Sequence, residues 1–448
     1  MAGLVLLIAC TQPASPAQTP APAIRRGPIV RLPSPAGEFA PAMTVVVGSG
    51  AVTGARLAAD HDQVCERCHR AVVQQWRSSA HAFASFDNPI YRVSVDGFRK
   101  QVGNEASRFC AGCHDVALLL DGAMDRPVVA TDPRAHAGVT CLSCHGIDRT
   151  TADGNGSYRL VTDAVTLPSD DQPNSLVEHR RRLAYAPLKQ AALCGSCHRA
   201  FLGKHSGNGH HLRGADDLSG WQQSAYGGSR VDRIEHEPAA QSGVVAKTCQ
   251  QCHMPLEVAT GGDVSAVGGR VRSHRFAAGH SWLAAMVGDR QQLGHARAML
   301  RSAARLELAA VALPSGLRLA PEQTTIERLA DAKRLWFELV VSNVGAGHRF
   351  PAGTADAQDV WIEVEIRDAK GSVVAQAGHG HRAGQADESA HRLHAVVVDD
   401  AGAPVLARQV QRFRAVAYDR TLPPRGVDVV RYELAEPATF AWPLELRA

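Results

Sequence analysis

The chain has 448 residues, 45% hydrophobic and 5% aromatic, with 48 basic against 44 acidic side chains and a formal net charge of +4. At roughly 100–200 residues per domain, that length predicts two or three domains with real cores. The hydrophobic share excludes long disorder, a mean hydropathy of −0.15 excludes a polytopic membrane protein, and balanced charge argues against a nucleic-acid partner.

Residues 1–10 end in a short apolar run, Ala-Gly-Leu-Val-Leu-Leu-Ile-Ala, that leads straight into Cys10. Such a run is too short to span a bilayer and reads as a signal-peptide core. Leu7-Ile8-Ala9-Cys10 has the pattern of a lipobox, so Cys10 is expected to carry a lipid anchor to a membrane; the alternative is a chance cysteine in an ordinary signal. Residues 11–45 are rich in Pro, Ala, Ser and Thr and are expected to form a tether. An anchor and a tether together predict a cell-envelope protein, periplasmic or at the outer membrane.

Residues 46–289 carry the remaining ten of the 11 cysteines, all in Cys-x-x-Cys-His motifs. They read Cys65-Glu-Arg-Cys68-His69, Cys110-Ala-Gly-Cys113-His114, Cys141-Leu-Ser-Cys144-His145, Cys194-Gly-Ser-Cys197-His198 and Cys249-Gln-Gln-Cys252-His253. This is the attachment signature of c-type haem. Two thiols three positions apart add across the two vinyl groups of one porphyrin, and the histidine that follows meets the iron as its proximal ligand. Zinc half-sites and redox disulfides also use Cys-x-x-Cys, but neither requires a histidine after every second cysteine, and a redox motif would not recur five times. The expectation is five covalent haems within Cys65–His253. So little chain per cofactor predicts haems close together that stand in for part of the core. Each ferric bis-histidine haem brings a charge of roughly −1, so five move the net charge from +4 to about −1.

The haem region is expected to be mainly helical in short pieces with long loops, punctuated by turns such as 153–157 and 203–209. A connecting helix is predicted over 290–315, its apolar stripe running from Leu293 through Ala296, Leu300, Ala304 and Leu308 to Val311 and closed by Pro314. From 316 to 448 the pattern changes to short strands: 335–341, 360–366, 372–375, 394–398, 405–407 and 427–434. Turns at 368–371 and 399–402 separate them. This spacing predicts an antiparallel β-sandwich.

Cys65-x-x-Cys68-His69, followed by Trp76-x-x-Ser79-x-His81-Ala82, resembles a run found in multihaem cytochromes c. That superfamily includes the tetrahaem cytochrome and hydroxylamine oxidoreductase of nitrifying bacteria. Gly138-Val-Thr-Cys141-Leu-Ser-Cys144-His145-Gly146 is similar to its third motif, and Cys249-x-x-Cys252-His253-Met254-Pro255 with His274 to His280 to a later one. Asn343-Val-Gly-Ala-Gly-His348-Arg-Phe-Pro351 resembles the opening of a β-domain that follows the haems in some members. The resemblance covers about 60–440 and implies distal iron ligands. His81, His179, His274, His280 and His136 are the expected ones, with His205, His210, His211 and His236 unranked. His348 reads first as part of a turn, and His379, His381, His391 and His394 as surface residues. The pentahaem nitrite reductases of this superfamily carry one Cys-x-x-Cys-Lys site, and its absence from this sequence argues against that activity.

Three functions fit. The first is an electron carrier whose five irons, mostly bis-histidine, relay electrons between redox partner proteins, with no catalytic residue. The second is a haem-dependent oxidoreductase in which one open iron acts on a small nitrogen or sulfur compound. The third is a partner subunit whose β-domain docks a larger complex.

Overall fold

A computed structural model describes residues 29–30, 41–46, 52–163, 167–169, 171–184, 186–229, 245–382, 385 and 387–448. The expected signal, Cys10, most of the tether and His236 lie outside the described residues. No helix among the described residues is long and apolar enough to cross a membrane.

Short helices dominate the first part of the chain. Each Cys-x-x-Cys-His motif forms or ends a helical turn, at Glu66–Arg77, Arg108–His114, Cys141–His145, Ala191–Gly195 and Cys249–His253. Residues three and four apart share a helix face, so one turn presents both sulfurs and the imidazole on the same side. Local chemistry starts these turns. Thr140 Oγ1 accepts from Ser143 N at 3.2 Å, and Gln251 Oε1 accepts from Thr248 N at 2.7 Å. The longer helix Pro89–Val102 is started by Asn88, whose Oδ1 accepts from Ile90 N and Tyr91 N, with Pro89 at its first position. It buries Val95 and Phe98.

The apolar core of this part gathers Val95, Leu118, Leu119, Met124, Leu142 and Leu160. A small sheet braces it: Thr44–Val46 runs parallel to Tyr158–Val161, which pairs antiparallel with Ile147–Thr150, just after the third motif. Helices and small sheets therefore alternate here, with more strand than the sequence suggested.

The predicted helix from residue 290 corresponds to Arg290–Ala303 only. Ala304–Ala312 is a strand instead, paired antiparallel with Arg334–Asn343. Its burial alternates along most of its length. The apolar residues Leu306 and Leu308 also satisfy a period of two, and the ladder to Arg334–Asn343 pairs eight residues of the strand.

The strand-rich C-terminal region thus begins at Ala304. Its main antiparallel sheet has the order Arg318–Leu319, Ala304–Ala312, Arg334–Asn343, Val427–Ala435. Val364–Arg367 pairs with Val373–Ala377 across the expected 368–371 turn, and also with Glu445–Arg447. Ala395–Val398 turns at Asp399, as expected, and the chain returns through a Val398–Pro404 bridge and Val405 N donating to Val397 O at 2.9 Å, while its longer ladder is with Ala415–Asp419. Leu335, Leu339, Ile366 and Leu393 form a core separate from that of the haem motifs. A third cluster joins the two regions, with Phe109, Leu202 and Leu212 against Val397, Val405 and Phe413.

Candidate functional site

Four of the five motif histidines face a second imidazole. His69 faces His179 with ring centroids 6.4 Å apart and planes 10° from parallel. His145 faces His274 at 6.2 Å and 17°, and His253 faces His348 at 6.1 Å and 13°. His198 faces His81 at 6.2 Å and 62°. Two metal–imidazole bonds of about 2.0–2.1 Å, plus the reach from each ring centre to its nitrogen, put two rings on one metal roughly 6 Å apart. All four pairs have that spacing.

The outer nitrogen of each motif ring is engaged. His114 Nδ1 lies 2.7 Å from Ala84 O, His145 Nδ1 2.8 Å from Leu183 O and His253 Nδ1 2.8 Å from Ala277 O. His69 Nδ1 lies 3.0 Å from Asp263 Oδ1, and His198 Nδ1 is 3.7 Å from Asp217 Oδ2. An acceptor at Nδ1 holds the proton there and leaves Nε2 with the lone pair a metal needs. Among the facing rings, His274 Nδ1 meets Arg272 O and His348 Nδ1 meets Arg349 O, both at 2.9 Å. Burial, with the charges of the neighbouring histidines, pushes His81 down to about 3, and burial pushes His274 down to about 4. Both are neutral at ordinary pH, the state that ligates. Hydrogen bonding to the Asp217 carboxylate raises His198 against the opposing effect of burial.

The sulfurs of different motifs meet. Cys65 interacts with Cys141, Cys113 with Cys197, Cys194 with Cys249 and Cys144 with Cys197. The imidazoles repeat the pattern: His145 interacts with His69 and His179, His81 with His253 and His274, and His114 with His198. The motifs therefore form a branched chain in space. The first adjoins the third, the third adjoins the fourth, and the second and fifth both join at the fourth.

These residues fit haem c. In four of the five motifs the histidine faces a second imidazole at the spacing of two axial ligands, beside the paired cysteines that would bond the porphyrin. Among the described residues, no group of three or more His, Cys, Asp or Glu side chains could hold a metal ion.

Of the distal ligands expected from sequence, the structure brings His81, His179 and His274 opposite motif histidines. It does not bring His136 or His280 there. His136 Nε2 is taken up by Ala130 O at 2.6 Å, because its short helical turn Pro133–His136 directs the ring back along its own chain. His280 is exposed at the start of Ser281–Met286, near His198 but facing no motif ring among the described residues. His348, read as a turn residue, takes the place opposite His253 instead; its resemblance-bearing Gly-Ala-Gly-His run was the available signal. His205 Nε2 meets Phe201 O at 2.7 Å, and His211 stacks on Phe201. His381 is not on the surface but buried, with Nε2 2.7 Å from Asp359 Oδ2.

His114 differs from the other four. No histidine ring faces it among the described residues. Tyr91 stacks on it at 4.3 Å and donates its hydroxyl to Asp115 Oδ2 at 2.5 Å. Arg408, from the C-terminal region, adds an electrostatic influence that helps hold His114 low, after the larger effect of burial. Ala407 and Arg408 both adopt left-handed backbone conformations, with φ of 52° and 50°.

Residues 64–146 match the family described as cytochrome c554 and c-prime. No curated protein matches the chain. The fold is similar to that of a penta-haem cytochrome c552 from Thermochromatium tepidum, at a TM-score of 0.53 and 17% identity, over 88% of this chain and 91% of that one. Residues 64–146 are thus similar to that cytochrome family, and the chain as a whole shares a fold with a penta-haem cytochrome.

Proposed function

We propose that this protein is an extracytoplasmic electron-transfer protein that relays electrons through five covalently bound c-type haems, most of them bis-histidine. The four facing imidazole pairs at iron-spanning distance carry the reading. When bound, each haem supplies a one-electron iron couple. The chain's own residues do the rest. The cysteine pairs would hold each porphyrin at its motif, and the acceptors at Nδ1 orient each motif ring. The fourth motif is then the junction of the relay. The Leu7-Ile8-Ala9-Cys10 sequence supports a lipid anchor in the cell envelope, and the relay supports other redox proteins as partners.

The test is a mass measurement of the purified holoprotein, with EPR of the oxidised form and CO difference spectra of the reduced form. Five covalent haems per chain, low-spin ferric signals and no CO complex are expected. A chain carrying no covalent haem overturns the reading.

His114 favours a second reading, a multihaem oxidoreductase with one open iron acting on a small nitrogen or sulfur compound. A high-spin signal with CO binding at one haem in five would select it.

A further inference from the structure

We propose that the strand-rich C-terminal region supplies an iron ligand to the haem of the last motif through His348, so that one iron joins the two parts of the chain. This rests on the haem reading above. The ring of His348 stands to His253 as His179 stands to His69 and as His274 stands to His145: near-parallel, at 6.1 Å against 6.4 and 6.2 Å. Both partners have Nδ1 occupied, His253 by Ala277 O and His348 by Arg349 O, so both turn Nε2 toward the space between them.

The loop carrying His348 is built to hold that position. Asn343, fully buried at the end of Arg334–Asn343, donates through Nδ2 to His348 O at 2.8 Å and to Leu422 O at 3.1 Å. Its Oδ1 accepts from Ala346 N at 3.1 Å. The first glycine before the histidine is required by close approach. A Cβ at Gly345 would lie 1.9 Å from Ser302 O, whereas one at Gly347 would make only ordinary contact with Tyr226 and Trp221 of the haem region. From that region Tyr226 Oη donates to Val344 O at 3.2 Å, and a Cβ at Gly220 would stand only 3.3 Å from His348 Cα. The Gly-Ala-Gly-His run is thus a seat for an imidazole rather than a free turn.

A second contact runs to the neighbouring motif. Gly353 N donates to Asp217 Oδ1 at 3.0 Å, while Asp217 Oδ2 faces His198 Nδ1. The C-terminal region therefore touches the iron ligands of the fourth motif indirectly and those of the fifth directly. Its role is to complete and position the last haem, which goes beyond covering it.

The experiment uses the full-length holoprotein carrying His348→Ala, His348→Met or, as a control, His379→Ala. The His348→Ala protein is expected to retain five covalent haems by mass and to convert one haem in five from low-spin to high-spin ferric, with added imidazole restoring the low-spin signal. Proteolysis between the two regions should accelerate at least tenfold. The His348→Met protein should keep the parent's spin states, with one haem shifted to higher potential, because a thioether stabilises the reduced iron. His379→Ala should match the parent protein. Five covalent haems with unchanged EPR in both His348 variants would overturn this proposal while leaving the relay intact. Failure of the parent protein to carry covalent haem would overturn the relay itself.

Discussion

Asp263 Oδ1 lies 3.0 Å from His69 Nδ1, although 194 positions separate the two residues. The carboxylate is buried and is held by Ser265, whose N and Oγ both donate to Oδ1. Its ionised form pulls the Nδ1 proton and makes Nε2 a stronger donor to iron, which favours the ferric state. Asp263→Asn is therefore expected to raise the potential of one haem by on the order of 60 mV, the one-electron equivalent of a tenfold change. Spectroelectrochemical titration checks it, and an unchanged set of potentials would remove Asp263 from this role.

Gly138 has φ of 61°, and a Cβ there would lie 2.3 Å from His81 O. The next residue, Val139, donates its N–H to that same carbonyl at 2.9 Å. Gly138→Ala strains the backbone and pushes His81 away from His198. A loss of about 1–3 kcal/mol of stability is expected. Unlike a mutation that strains the backbone alone, it should also give a high-spin fraction at one haem. Denaturation and EPR on the same preparation separate the two effects.

His81 and His198 meet at 62°, whereas the other three pairs lie within 17° of parallel. Crossed axial imidazoles leave the iron d orbitals close in energy and give a strongly anisotropic low-spin signal; parallel ones give an ordinary rhombic signal. One haem of the first kind and three of the second are expected in frozen-solution EPR, and the first should vanish in His81→Ala.

Burial raises Asp60 to about 6, only partly offset by the hydrogen bond its Oδ2 accepts from Leu142 N at 2.7 Å. A carboxyl whose pKa is raised in the folded state favours folding when protonated. Its contribution is complete below about pH 4 and is lost as pH rises through 6, amounting to at most about 3 kcal/mol. Asp60→Asn should therefore flatten the fall in stability between pH 4 and 6, as measured by urea denaturation of the holoprotein. An identical slope in both proteins would contradict this.

The sequence by itself determined the motifs on which the haem reading stands. Spacing within one helical turn is a local property, so the ten motif cysteines and five motif histidines are legible without a fold. Strands such as Arg334–Asn343 and Val427–Ala435 were legible for a similar reason, since apolar β-branched runs carry their own preference. The stretch 304–312 was not, because its leucines satisfy two periods at once and only the neighbouring strand chooses between them. Which imidazole faces which motif was decided by tertiary structure alone. His348 reaches His253 across the boundary of two regions, and His136, closer in sequence to a motif, turns toward its own carbonyl. Placement beside the motifs offered His81, His179 and His274 as candidates, but which motif ring each one faces depends on how the segments between fold.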